Sequence, residues 1–464
     1  MREGTLITYK SGVAVGRERF RDDGASLVSE ILLGQSTITV TLTREPRRLR
    51  FDAGDKSVER EVPDRAIVLE NGSWQAFSLA AARFADAASP VAVDVLIPSL
   101  GTTAGGTIAV RPIDGGGRRV DVVIHGLQIE VELDAASNVL VARVPAQEVE
   151  ARPEGAPAPV PAPPRSPPPG VTEEAFEEAR FGVTLRGSLW LPTIAASEGS
   201  KVPVVLLLAG SGPTDRDGNS SLGLRTDAYR LVAEALAARG IASLRYDKRG
   251  VGSSGREFDP ATTVLDDFAA DALAVALRLR ADPRFSTLTI LGHSEGGILA
   301  LMIAARAAPD VLLLLATPGR PLGVLLREQL ARRLDPRALV DVDRLLDAVR
   351  RGAPPDPIPA PLAPLFAPTV RAFLRSALDL DPLPLLRAVT ARIAVVQGAF
   401  DAQVTPVDAR LLAEARPDAT LTILPTMNHV LKAEASAAMP QSSYADPTRP
   451  LAPGLGDILA AGVR

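Results

Sequence analysis

The chain contains no cysteine. Disulfides, thiolate nucleophiles and cysteine-held metals are therefore excluded. Histidine is scarce as well: His125, His293 and His429 are the three in 464 residues, so any histidine-dependent mechanism has few candidates. No apolar run reaches the roughly 18 residues a membrane-spanning helix needs; the longest lies near Val202 to Ala209. The opening MREGTLITYKSGVAVG lacks the charged-then-apolar pattern of a signal peptide. As written the chain reads as soluble and cytoplasmic, or as exported if a leader was removed before this numbering. A formal net charge of -4 gives no electrostatic reason to expect nucleic acid or an anionic membrane as partner. Composition is globular and the length exceeds one ordinary core, so two domains are expected.

What is present divides into three stretches. From Thr5 to about Val144, short alternating segments suit half-buried strands: Thr37–Thr43, Val91–Ile97, Thr107–Ile113, Val120–Ile124, Leu127–Leu133 and Val139–Val144. Turn signals such as Asp22-Asp23-Gly24 and Asn71-Gly72 separate them. They predict an antiparallel β domain over residues 1–150, curled towards a partial barrel, with one short helix at Ser78–Ala88. In pattern, though not in any motif, this region resembles the lipoprotein-carrier-like half-barrels of bacterial envelope proteins. His125 falls at a strand end with no serine, acid or second histidine close in sequence, and reads as structural. Residues 151–170, ARPEGAPAPVPAPPRSPPPG, form a stiff proline-rich linker and mark the domain boundary.

From residue 171 the pattern changes to strands alternating with helices, the mark of a mainly parallel, doubly wound α/β sheet. Strands are expected at Phe181–Leu191, Val202–Leu208, Ile241–Tyr246, Leu288–Leu291, Val311–Ala316, Ile393–Gln397 and Leu421–Leu424. Helices are expected at Asp227–Arg239, Val264–Ala281 and Ile298–Ala308. The stretch Leu288–Ala300, LTILGHSEGGILA, organises this half. A strand turns into a helix through Gly292-His293-Ser294-Glu295-Gly296, a G-x-S-x-G sequence. So tight a turn bends the chain at Ser294 and exposes its Oγ at the carboxyl edge of the sheet, where the Glu295 N–H meets a developing oxyanion.

A serine hydroxyl needs a base, and the base needs an orienting acid. Downstream of Ser294 the remaining histidine is His429, in a loop past the last expected strand. Asp401 follows the strand before it, so all three project from one edge of the sheet. Asp408 is a rival acid, seven residues deeper towards a helix near Pro406.

Residues 171–464 resemble the α/β-hydrolase superfamily of serine esterases and peptidases. The resemblance rests on the G-x-S-x-G at Ser294, the loop Leu208-Ala209-Gly210-Ser211-Gly212-Pro213, the stretch Tyr246 to Gly255, the acid loop Gly398 to Val404, and Asn428-His429. It implies Ser294 as nucleophile, His429 as general base and then acid, Asp401 as its partner, and an oxyanion held by the N–H groups of Glu295 and Ser211. The loop GSGPTDRDGN (Gly210–Asn219) is similar to that of bacterial esterases, some of which carry an extra amino-terminal domain. The superfamily's commoner histidine-glycine start is replaced here by Ala209-Gly210. No cofactor is implied.

Two other motifs compete for a role. Gly250-Val251-Gly252-Ser253-Ser254-Gly255 matches a dinucleotide fingerprint, but no helix opens within its glycines. Asp215-x-Asp217-x-Asn219 imitates a calcium loop but has Ser220 and Thr226 where glycine and glutamate belong, so internal hydrogen bonding is expected instead. Glu295 is either a solvated loop charge or a group that tunes the pocket, and His293 is expected to pack beneath the elbow. From Pro321 to about Thr390, leucine-rich helical runs interrupted by prolines suggest a lid whose apolar content suits an apolar acyl or alcohol group. The sequence thus reads as a lidded serine carboxylesterase acting on a small-molecule ester. A serine peptidase of the same fold and a non-catalytic carrier of a lipophilic ligand are the alternatives, and an oligomer is compatible with either.

Overall fold

The computed structural model describes residues 1–464 apart from 11, 34–35, 55, 87–89, 100–101, 125–126, 161–165, 181, 194–200, 221–223, 256, 333, 335, 360–361, 363–364, 438–440 and 442. The chain forms two compact units, Met1–Pro164 and Arg165–Arg464.

Among the described residues the first unit contains one 13-stranded sheet. Neighbours pair antiparallel, except that Ala66–Val68 runs parallel to Val91–Ile97. Alternation makes the strands: in Leu127–Leu133 the side chains of Ile129, Val131 and Leu133 are buried, while Gln128 is exposed and Glu130 and Glu132 reach towards water. Laid flat, so many strands at about 4.8 Å spacing would span roughly 60 Å. Yet Phe51 and Ile67, near opposite ends of the strand order, share one core with the helix Phe77–Arg83. The sheet therefore curls around that helix. Its two open edges, Lys56–Glu61 and Ala66–Val68, are close in sequence. Beside them a cavity of ≈ 330 Å³ is lined by Leu42, Ile67, Val68 and Leu79, with Arg44 and Arg83 among its polar groups.

Two expectations need adjusting here. The linker was expected from residue 151, but Val149–Pro153 is a strand, paired with Arg2–Lys10 through Leu6↔Pro153 and Thr8↔Ala151. Proline is tolerated because the pairing with Val139–Val144 stops at Ala151, so one side of the strand is already an edge at Pro153. The expected helix at Ser78–Ala88 is seven residues, Phe77–Arg83. His125 lies outside the described residues, as do residues 161–165 of the linker.

In the second unit β1 (Val171–Arg180) and β2 (Val183–Pro192) form a hairpin, where the sequence suggested one strand. Then follow β3 (Val202–Leu208), α1 (Ala228–Ala237), β4 (Ala242–Tyr246), α2 (Leu265–Ala281), β5 (Phe285–His293), α3 (Glu295–Ala307) and β6 (Val311–Leu315). The insertion supplies α4 (Leu322–Ala331), α5 (Pro336–Arg350), α6 (Pro368–Ala377) and α7 (Pro382–Ala388). The chain continues with β7 (Arg392–Gly398), α8 (Pro406–Ala415), β8 (Thr420–Leu424) and α9 (Leu455–Val463), the last of which no sequence signal had marked.

Spatially the order is β1-β2-β4-β3-β5-β6-β7-β8, with β4 to β8 parallel. Strands such as β6 (VLLLL) are buried along their whole length, as a sheet covered on both faces requires. One face packs against α2, α3, α7 and α8, the other against α1 and α9. The insertion has a core of its own around Val342, Leu345, Phe366 and Leu374. The order reverses between β3 and β5, and in open α/β sheets the crevice at such a reversal is where ligands bind.

Glu18 is a polar group sealed in the first core. Its carboxylate accepts from Ser29 Oγ (2.6 Å), Trp74 N (2.8 Å) and Gln75 N (3.1 Å), docking the helical segment onto the sheet. Burial outweighs these bonds and pushes its pKa up to about 7. A raised acid pKa stabilises the fold below the unfolded value and loses that contribution as pH rises through the folded one. We predict that the first unit loses roughly 3 kcal/mol between about pH 4.5 and 7. Glu18→Gln retains all three hydrogen bonds and should flatten this slope. Trp74 and Trp190 are the two tryptophans, one in each unit, so thermal unfolding followed by fluorescence in a Trp190→Phe background isolates the first unit.

Candidate active site

β5 ends at His293 and α3 begins at Glu295, leaving Ser294 alone to make the turn. It does so at φ 54° and ψ -124°, a region that only glycine enters without strain. Crowding holds it there. A Cβ on Gly292 would lie 2.3 Å from the Gly296 carbonyl oxygen, one on Gly296 2.1 Å from that of Leu208, and one on Gly297 2.1 Å from Thr317 Oγ1. The glycines let the elbow sink against β3 and the end of β6. Ser294 N donates to Leu315 O (2.9 Å), and its Oγ stands beside the amino end of α3, where helix dipole and free N–H groups favour negative charge.

The loops after β7 and β8 carry the other two groups. Asp401 Oδ2 lies 2.8 Å from His429 Nδ1, and both residues are buried. Asp401 also accepts from Gln403 N (2.8 Å), Val404 N (3.0 Å) and Gln397 Nε2 (3.1 Å), so its carboxylate is held from several sides. With the carboxylate on Nδ1, that nitrogen carries the proton and Nε2 is left with its lone pair. Asn428 braces the loop, accepting from Val430 N and Lys432 N and donating to Glu434 and Ser443. The two loops are stitched together by Phe400 N→Met427 O (3.0 Å) and Ala399 N→Leu424 O (2.9 Å). The rival Asp408 is engaged elsewhere: it pairs with Arg320 (2.7 Å) and accepts from Gly319 N. Among the described residues no hydrogen bond joins Ser294 Oγ to His429, a contact that often tightens only when substrate binds.

On the other side of Ser294, Gly210 approaches so closely that a Cβ would sit 3.2 Å from the serine Cβ. The Ser211 N–H has no acceptor among the described residues, and the Glu295 N–H, first in its helix, has no intrahelical one. The loop to Asn219 is braced internally: Asp215 accepts from Asp217 N and Asn219 N, and Asn219 Oδ1 from Thr226 N and Asp227 N. Burial pushes the Asp215 carboxyl up to about 6. The glycine-rich stretch after β4 is a brace of the same kind, with Gly252 folded tightly over the Asp247 carboxylate and α2 starting only at Leu265.

Two residues do more than sequence reasoning assigned them. His293 Nε2 donates to the His429 carbonyl (2.8 Å), and its Nδ1 meets Tyr229 Oη (2.8 Å), which accepts from Gly210 N (3.0 Å). One chain of bonds thus joins the Gly210 loop to the His429 loop beneath the elbow. Burial drives His293 down to about 3, so it stays neutral. Glu295 is part-buried, and its carboxyl is held above the usual range by desolvation, opposed by the Lys248 charge and a hydrogen bond with Ser211. Tyr229 left no trace in the sequence beyond an apolar helix face.

A family model described as serine aminopeptidase, S33, matches residues 222–332. Esterase EstD of Thermotoga maritima is 29% identical over 269 residues, which cover 56% of this chain and 61% of that protein. The match therefore reaches less than two thirds of that relative's length. Among solved structures, Est1E of Butyrivibrio proteoclasticus with bound ferulic acid is 17% identical, covering 59% of this chain and 97% of that one, with a TM-score of 0.38. An esterase from Pyrococcus furiosus is also 17% identical, covering 56% and 84%, with a TM-score of 0.39. The second unit is thus similar to α/β-hydrolase serine esterases.

The crowding at the elbow makes a direct prediction. Gly296→Ala should destabilise the second unit by about 3 kcal/mol or more, at the top of the usual range for overpacking, because its new atom meets backbone rather than a side chain that can move. Urea denaturation followed at Trp190 measures this.

Proposed function

We propose that the second unit is a serine carboxylesterase, with Ser294 as nucleophile, His429 as base and Asp401 as its orienting acid. The observation that carries this reading is the Asp401–His429 pair, buried at 2.8 Å beside a serine held at φ 54° between strand and helix. In the proposed reaction Ser294 Oγ attacks the ester carbonyl carbon while its proton passes to His429 Nε2. The carbonyl oxygen becomes an oxyanion, which accepts hydrogen bonds from the N–H groups of Glu295 and Ser211. When the intermediate collapses, the alkoxide leaves with the proton from His429 and an acyl-Ser294 remains. Water, giving its proton to His429, then attacks the acyl carbon; collapse returns that proton to Ser294 and releases the acid.

The insertion fits a lid. It has its own apolar core, and α4 and the turn after it reach the acid loop through Gln329 Nε2→Gln403 O (3.0 Å) and an Arg332–Ala402 carbonyl bond. A cover resting on the residues just after Asp401 suits a substrate with an apolar acyl or alcohol group. A second reading draws on the cavity of the first unit, whose mostly apolar lining suits a lipophilic ligand. Stoichiometric lipid in native mass spectra, without ester cleavage, would favour a carrier.

Reaction with a fluorophosphonate probe, read by intact mass, tests the nucleophile: one adduct on the parent and none on Ser294→Ala is the expected result. A folded parent that takes no adduct would sink the esterase. The acids separate in the same assay format. With p-nitrophenyl butyrate, Asp401→Asn should lower kcat by about 10³- to 10⁴-fold by misplacing the histidine tautomer. Asp408→Asn should instead cost stability, since Arg320 would keep only Glu328 as an anionic partner, and leave kcat nearly unchanged.

A further inference from the structure

The bonds around the Gly210–Ser211 peptide involve a residue with no part in the reaction just described. Lys248 is 5% exposed, and its Nζ donates to the Gly210 carbonyl oxygen at 2.5 Å. No carboxylate lies within ion-pair distance of it among the described residues. The charge of Glu295 reaches it from beyond that distance, yet desolvation still holds its pKa below the usual lysine range, since burying an ammonium without an anion in contact is costly. A lysine that served only to pack would be a poor choice there.

Its direction is fixed by its neighbours. Asp247 accepts from Arg216 N (2.8 Å), Arg216 Nη2 (2.7 Å) and Ser253 N (2.9 Å). Arg249 makes two bonds to Asp271, at 2.8 and 2.7 Å. Both flanking residues are locked in ion pairs, so the stem of Lys248 starts from a rigid backbone.

A trans peptide is planar, and its C=O and N–H point in opposite directions. Holding the Gly210 carbonyl on Lys248 therefore turns the Ser211 N–H to the opposite side. Glycine has no side chain to resist rotation of the peptide that follows it, so the peptide needs an external hold. The Gly210 N–H is held in turn by Tyr229 Oη at 3.0 Å, which fixes the preceding peptide as well. Between these two holds, Gly210 rests against Ser294.

We infer that Lys248 is a positioning residue whose ammonium locks the Gly210–Ser211 peptide, presenting the Ser211 N–H to the oxyanion formed at Ser294. The inference rests on the esterase reading. It makes the second oxyanion donor depend on a side chain from the loop after β4, on the far side of β3 from Ser294 in the sheet order.

Lys248→Met retains the stem's bulk and removes the donor. With p-nitrophenyl butyrate, kcat should fall about 10- to 100-fold with little change in KM, somewhat less than the 10²- to 10³-fold for outright removal of an oxyanion donor. Affinity for hexyl trifluoromethyl ketone, whose hemiketal oxygen occupies the oxyanion position, should fall by the same factor. A merely structural lysine would lower the melting temperature and leave kcat and ketone affinity at parental values. That outcome in a folded variant overturns the inference.

Should Lys248→Met not fold, a crystal structure of the parent with the ketone decides. Nζ must remain on the Gly210 carbonyl while the Ser211 N–H meets the hemiketal oxygen. Nζ on the hemiketal oxygen itself, or a Ser211 N–H turned elsewhere, overturns the positioning role alone. A parent that forms no adduct at Ser294 overturns the esterase reading and this one together.

Discussion

The bend at Ser294 is the constraint on which the rest of the second unit depends. A non-glycine residue at φ 54° costs about 1–3 kcal/mol, and it persists only where its surroundings leave no alternative. Here they are three glycines wedged against β3, α3 itself and Thr317. The wedge requires β3 and β5 to be neighbours, which is why the reversal of strand order falls at this point. A parallel sheet buried on both faces provides the rigidity, since neither strand can shift without disturbing a core.

Around that bend, polar groups that would be expensive to bury singly are linked into chains. Tyr229 and His293 connect the loop after β3 to the loop after β8, and Gln397, Asp401 and His429 connect β7 to that same loop. Each loop alone is polar and irregular. Linked, they form a rim whose geometry does not rely on any one of them, and satisfied buried networks of this kind rigidify what they join.

Much of this was legible in the sequence, for physical reasons. The strands of the sheet's centre are unbroken apolar runs, and the elbow motif carries its own punctuation of glycines. Ser294, Asp401 and His429 could be aligned because each follows a strand that can be read, and with so few histidines there was little choice of base. What escaped notice had no pattern to show. β1, with sequence VTEEAFEEAR, has helix-forming glutamates and alanines and is a strand only because β2 pairs with it along ten residues. Ala151–Pro153 looked like linker because proline hides a strand end. Lys248 stood in plain sight within YDKRG, but only its distance to the Gly210 carbonyl gives it a meaning.

In the first unit the opening strand Arg2–Lys10 lies beside the closing strand Val149–Pro153, antiparallel, in the interior of the sheet order. The beginning of the one and the end of the other therefore emerge at the same place. Tension between these two points would load the hydrogen bonds of the pair one after another, as a zipper is opened, rather than all together in shear. Under such a load this seam would open from its end, and a pull on the proline-rich segment would peel away the final strand before disturbing the core behind it.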